Sequence, residues 1–259
     1  MPSSAARGDI AFLTAALVIH LAPLSAAAWL MADSSRDISS QIVVLAPLAA
    51  AVALGQLLLA YATGRAKMTG LTLRARGGWA LAAPIWLIVG AMFLGTALQG
   101  GASPKLTTAL LVTIAIALAA FNEEFTFRGA VLGVALTRLS TAWAIGISAV
   151  TFGAAHLIGQ IAAYDPDVAI RQFVAASLFG VALALVRIRM PPLWPLVAVH
   201  AAWNLAVISA GDVVGINDAG AAGTALRVLG VAMLAIAVSI ALAKLTRHAT
   251  AVRASRGSG

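Results

Sequence analysis

The sequence predicts an all-α, polytopic transmembrane bundle. Three observations predict it: 61% of the 259 residues are hydrophobic, only 10% are charged, and the apolar residues run in stretches of span length. An average soluble domain carries about 25% charged residues, which a water-facing surface needs. A helix requires about 20 apolar residues to cross a hydrocarbon core of ~30 Å. Barrel strands alternate apolar and polar residues over about 10 positions, and the unbroken runs exclude that pattern.

Eight spans follow in order, at about Ile10–Ala32, Gln41–Thr63, Trp79–Leu98, Leu106–Phe121, Ala142–Ala162, Ile170–Val186, Leu193–Ala210 and Ala225–Leu245. The first begins after a single basic residue, Arg7, and passes Ser25-Ala26-Ala27-Ala28, which could serve as a signal-peptide cleavage region. Its apolar stretch runs on through Trp29 and Met31, longer than a typical signal core, so it is read as a retained span. His20 and Pro23 lie inside it, and His20 is read as a packed core histidine. The fourth span differs from the rest, because its helical pattern continues past an acidic pair towards Arg138. There is no internal repeat. Residues 1–246 form a single integral membrane domain, and residues 247–259 form a polar, basic, disordered tail.

Charge in the loops sets orientation. With the N-terminus cytoplasmic, one side collects twelve basic residues, among them Arg65, Lys67, Arg74, Arg76, Arg138, Arg187 and Arg189. The other collects four, Arg36, Lys105, Arg171 and Arg227, interleaved with acidic residues. That asymmetry fits an even number of spans with both termini cytoplasmic, in a multi-pass protein of the cell membrane. The net charge of +8 is therefore a topology signal rather than a nucleic-acid footprint. Cysteine is absent, which removes disulfides, thiolate nucleophiles and thiolate metal sites together.

Against this apolar background a few polar residues stand out. The end of the fourth span reads Phe121-Asn122-Glu123-Glu124-Phe125-Thr126-Phe127-Arg128-Gly129. A carboxylate at mid-bilayer costs about 2.5–3.5 kcal/mol on insertion scales, so two in succession need a reason. Glu124 and Arg128 are four apart and face each other as an ion pair. Glu123 lies about 100° away around the helix, turned towards another element. Taken alone, the cluster would equally suit an interfacial span end. The fifth span contains Phe152-Gly153-Ala154-Ala155-His156, where small residues admit a close neighbour. The seventh contains His200-Ala201-Ala202-Trp203-Asn204, with His200 and Asn204 on one face. Interhelical glue would account for such a pair at ~0.6 kcal/mol per contact. All three together, in a chain with so few other membrane polar groups, point to amide hydrolysis. A carboxylate can act as base and then acid, a histidine can orient water, and His and Asn donors can hold an oxyanion for ~2.7–4 kcal/mol each.

Glu-Glu-x-x-x-Arg, Phe-x-x-x-His and His-x-x-x-Asn, in this order, resemble the three motifs of the CPBP family. These are the CAAX-protease and bacteriocin-processing (Abi) intramembrane peptidases, which include the Ras-converting CAAX endopeptidases. The resemblance covers about Leu106 to Ser209 and extends to the context Phe127-Arg128-Gly129. It implies that Glu123 activates water with help from His156, that His200 and Asn204 stabilise the oxyanion, and that Glu124, Arg128 and Phe152 support the site. No cofactor is implied in the metal-free glutamate mechanism. Zinc held by Glu123, His156 and His200 is the competing arrangement, a two-His-one-carboxylate set.

The partners expected are membrane lipid and a peptide or protein substrate with an apolar segment. Rival readings fit less well. A rhomboid-like serine site at Gly146-Ile147-Ser148-Ala149 leaves the acidic pair unexplained. A non-catalytic protein for bacteriocin self-immunity or scaffolding would use the polar cluster for packing only, and a transporter would use it as an ion path.

Overall fold

Ala, Leu, Val and Ile dominate the chain, and in lipid the backbone must satisfy its own hydrogen bonds, which a helix does within one segment. A computed structural model describes residues 4–30, 38–73, 82–98, 106–160 and 166–214, and among these there is no strand. The helices are α1 (Ser4–Leu30), α2 (Ile38–Ala62), α3 (Ala83–Leu98), α4 (Leu106–Glu124), a π-helical segment (Phe125–Val131), α5 (Leu132–Leu136), α6 (Thr141–Gln160), α7 (Pro166–Arg189) and α8 (Trp194–Val214). Five stretches are long and apolar enough to cross a membrane: Ser4–Ala28, Val44–Ala62, Leu106–Leu136, Thr141–Ile158 and Ala169–Arg189. Helices α3 and α8 contribute shorter apolar stretches. The protein is thus a helical membrane bundle. Large apolar side chains such as Leu54, Leu58, Leu87, Ile114 and Trp143 point outward, as expected of a surface solvated by lipid. The eighth expected span, Ala225–Leu245, and the tail lie outside the described residues.

Helix α1 starts at Ser4 rather than near Ile10 because its first polar turn is held from outside. Asp9 bonds Arg65 at 3.0 Å and Arg138 at 2.8 Å. The beginning of α1, the turn after α2 and the residues just beyond α5 therefore share one end of the bundle. The fourth span continues as expected past the acidic pair, through the π segment, to Leu136. The π geometry itself was not expected.

Side chains hold that widened turn. The Gln56 amide donates to the Asn122 carbonyl at 3.1 Å and to Thr126 Oγ1 at 3.0 Å. Thr126 Oγ1 donates to the same Asn122 carbonyl at 2.8 Å, and the Asn122 amide donates to the Ala49 carbonyl at 3.0 Å. From the opposite side Ser148 Oγ donates to the Phe127 carbonyl at 2.8 Å. Ser148, the serine of the rhomboid-like reading, is buried in this brace.

Helices α6 and α7 make the most extensive helix–helix contact, and small residues allow it. A Cβ on Gly153 would lie 2.8 Å from the Phe173 carbonyl and collide with Ser177 Oγ, and one on Gly180 would lie 3.0 Å from the Ala149 Cα. The turn after α2 passes over the end of α7 at Gly70 (φ +86°), where a Cβ would lie 2.6 Å from the Pro191 carbonyl. That turn also seats α8. Leu193 N–H donates to the Gly70 carbonyl and Trp194 Nε1 to the Leu71 carbonyl, both at 3.1 Å. The Trp194 ring stacks on Phe121 with centroids 5.5 Å apart. The start of α8 is thereby fixed against α4, which sets the depth of His200 relative to the acidic pair.

Candidate active site

Glu123 and Glu124 end α4 immediately before the π segment, and their side chains diverge as one helical step requires. Glu124 points inward and is fully buried with Arg128, and its Oε1 accepts from Arg128 Nη1 at 2.9 Å. The expected ion pair is therefore formed. The same Oε1 also accepts from His200 Nδ1 at 2.8 Å. Helices α4 and α8 are thus tied by a buried hydrogen bond that sequence spacing alone had not suggested, since Glu124 was expected only to pair with Arg128.

That bond fixes the imidazole of His200. With Nδ1–H given to Glu124, Nε2 is turned to Glu123 Oε2 at 3.4 Å. Glu123 keeps about a fifth of its side chain exposed, whereas His200 is 2% exposed. Glu123 Oε2 itself accepts no hydrogen bond from the described residues.

Phe152 occupies the centre. The Arg128 guanidinium lies 4.1 Å over its ring centroid, within cation–π range. The edges of His156, Phe127 and His200 meet the same ring at 4.6, 5.3 and 5.7 Å between centroids. His156 is half-buried, and its Nδ1–H donates to the Phe152 carbonyl at 2.9 Å. In the neutral ring this leaves Nε2 with its lone pair. His156 makes no hydrogen bond to Glu123 or His200, yet it is near enough to act on the Glu123 charge. Asn204 is half-buried one turn beyond His200, and no hydrogen bond joins it to the cluster among the described residues.

His20 was missed. It is buried on α1, its ring meets Phe127 edge-on at 5.5 Å, and both Glu123 and His156 act on it electrostatically. Its Nε2 has no hydrogen-bond partner among the described residues. The available signal was that three of the four histidines lie well inside apolar spans. None of the other polar residues of α1, Ser4, Arg7, Asp9, Thr14 and Ser25, stands three or four positions from His20, so spacing gave no reason to group it with the others.

Among the described residues no three His, Asp or Glu side chains converge as a metal-binding set. His200 Nδ1 is engaged by Glu124, and His156 presents only Nε2.

Residues 105–206 match the family model described as type II CAAX prenyl endopeptidase Rce1-like. The matched stretch holds Glu123, Glu124, Arg128, Phe152, His156, His200 and Asn204. No curated protein and no solved structure matches the chain.

Proposed function

On the premise that the chain, through residues 105–206, belongs to the CAAX-protease family, we propose that it is an intramembrane endopeptidase in which Glu123 is the base. The observation that carries this reading is the 3.4 Å approach of His200 Nε2 to Glu123 Oε2, with the far side of His200 locked by Glu124.

In this mechanism water sits between Glu123 and His156. Glu123 removes one proton, and His156 Nε2 accepts a hydrogen bond from the other hydrogen, aiming the oxygen lone pair at the scissile carbonyl. The new C–O bond places negative charge on the carbonyl oxygen. His200 Nε2–H and the Asn204 amide donate to it. Each oxyanion donor contributes about 2.7–4 kcal/mol in comparable sites. The proton held by Glu123 passes to the departing amine as the C–N bond breaks, so that water is consumed and both termini are released. Arg128 and Glu124 hold His200 in orientation without touching the reacting atoms.

The substrate class that fits is a membrane-associated peptide or protein with an apolar segment, entering a bundle with eight spans and both termini cytoplasmic. The test compares membrane peptidomes of cells carrying the active chain and its Glu123→Gln variant. Fragments present with the first and lost with the second support the reading. An unchanged peptidome, with the cellular phenotype retained in Glu123→Gln and His156→Ala, instead favours a non-catalytic immunity or scaffolding protein.

A further inference from the structure

A buried imidazole that the mechanism does not use stands beside the proposed base. Phe12, Ala16 and His20, each four residues from the next, form the inward stripe of α1 and are 2%, 0% and 6% exposed. The register of that stripe is fixed at the start of the helix. Asp9 is held by Arg65 and Arg138, and the Arg65 guanidinium lies 5.2 Å over the Phe12 ring. Deeper in the bundle the His20 ring meets Phe127 edge-on at 5.5 Å, and Phe127 meets Phe152 at 5.3 Å.

His20 Nε2 is sealed from water and has no hydrogen-bond partner among the described residues. An orphaned buried nitrogen is costly, so a residue kept only for packing would be better as an apolar ring. Glu123 Oε2 is orphaned and sealed in the same way. Its 3.4 Å separation from His200 Nε2 is longer than an ordinary hydrogen bond, so this oxygen is fastened to neither histidine. The two groups lie near enough to act on each other electrostatically. Because water reaches neither atom, only a protein group can satisfy each. The reaction supplies the occasion. An ionised carboxylate only accepts, whereas a protonated carboxyl carries one O–H donor. Once Glu123 has taken a proton from water, His200 Nε2–H is engaged by the oxyanion and His156 Nε2 by the remaining hydrogen of the attacking oxygen. The new O–H of Glu123 then needs an acceptor. His20, neutral with its proton on Nδ1, offers the lone pair of Nε2.

We propose that His20 is a positioning residue that receives Glu123 in its protonated state. Glu123 turns from His200, and its O–H donates to His20 Nε2 until the proton passes to the leaving amine. No covalent bond of His20 forms or breaks, and the proton stays on Glu123 while the contact lasts. This rests on the endopeptidase reading and adds to it a resting place for the transferred proton, on a helix outside residues 105–206.

The experiment uses the full chain in lipid nanodiscs and a peptide whose fragments disappear from Glu123→Gln membranes. His20→Phe keeps an aromatic ring against Phe127 and removes the acceptor. It should lower kcat roughly 3–10-fold, the worth of one net hydrogen bond, with KM unchanged and Tm equal or higher. His20→Gln, which places an amide oxygen near the position of Nε2, should recover part of the loss. Full turnover in His20→Phe overturns the proposal, as does a loss that His20→Gln shares completely. A second measurement needs no turnover. Glu123→Gln mimics the protonated carboxyl, because its amide is neutral and donates N–H. In that background His20→Phe should lower the Tm, whereas with Glu123 in place it should not. Equal changes of Tm in the two backgrounds overturn the proposal. Cleavage of no peptide by the unaltered protein counts against the endopeptidase reading, and the Tm comparison then decides the contact between His20 and Glu123 alone. Should His20→Phe fail to accumulate, His20→Leu removes the acceptor at smaller size and makes the same comparison.

Discussion

His200 donates Nδ1–H to Glu124 at 2.8 Å across 76 residues of sequence, and this single bond decides which ring nitrogen faces Glu123. The two adjacent glutamates therefore differ in setting: Glu124 is sealed in, while Glu123 keeps about a fifth of its side chain exposed. Substitutions at the two positions should separate the catalytic and supporting roles proposed for them.

Glu123→Gln should leave the thermal unfolding midpoint in detergent close to that of the unaltered protein and lower peptide turnover by at least 10²–10⁴-fold, the range for loss of a general base. Glu124→Gln should unfold at a clearly lower temperature, because breaking a buried pair from one side costs about 3–5 kcal/mol. If the two variants exchange these behaviours, the assignment of base and support is reversed.

Phe152→Leu should reduce both stability and turnover. It removes the cation–π contact with Arg128, worth about 0.5–2 kcal/mol, and three edge-on ring contacts of roughly 0.5–1.5 kcal/mol each. Turnover should fall more than binding of an apolar peptide, since the loss is one of orientation. A parallel Michaelis analysis and thermal melt would check this.

Gly153→Ala should destabilise by about 1–3 kcal/mol, the usual cost of overpacking, because the new methyl meets Ser177 Oγ and the Phe173 carbonyl. The matched control is Gly146→Ala in the same helix, where a Cβ meets nothing within 4 Å. That change should be neutral or slightly stabilising, by up to about 1 kcal/mol from helix propensity. Equal melting temperatures for the two variants would contradict the close α6–α7 packing.

Gln56→Leu should cost about 1–3 kcal/mol for the buried partners it abandons and lower turnover through the π segment, although Gln56 lies on α2 and touches no proposed catalytic group. Hydrogen exchange at residues 122–131 should rise in this variant.

Chelation tests the metal-free mechanism. Active enzyme dialysed against EDTA should retain its turnover. Loss with EDTA and recovery with added zinc would show that the histidines rearrange into a metal site.

Much of the fold was legible because lipid imposes one simple demand, an apolar run long enough to cross it. Seven of the expected spans coincide with helices. The Glu124–Arg128 pair was legible for a similar reason, as an i,i+4 spacing fixes proximity within one helix. What spacing could not give was the partner on another helix. The tie between Glu124 and His200 depends on the depth of α8, which is set by Trp194 stacked on Phe121 and by the turn at Gly70, and no local pattern encodes that depth. That His20 packs beside this site was not legible for the same reason. The π segment was hidden because Thr126, Gln56 and Ser148, which hold it, look like ordinary small or polar residues in three separate spans.

The widened turn between Phe125 and Val131 has a consequence for how this protein tolerates changes in length. A π stretch accommodates one residue more than the α-helix on either side of it, so it works as a phase shifter, resetting the azimuth of everything beyond. Deleting one of residues 125–127 would be absorbed as a return to regular pitch with the helix beyond kept in register, whereas the same deletion within α4 would turn everything beyond it by about 100°. The cost would fall on the widened turn itself, where Arg128 would stand three rather than four residues from Glu124. At this place the molecule should accept a conservative exchange of side chain more readily than the loss of one peptide unit.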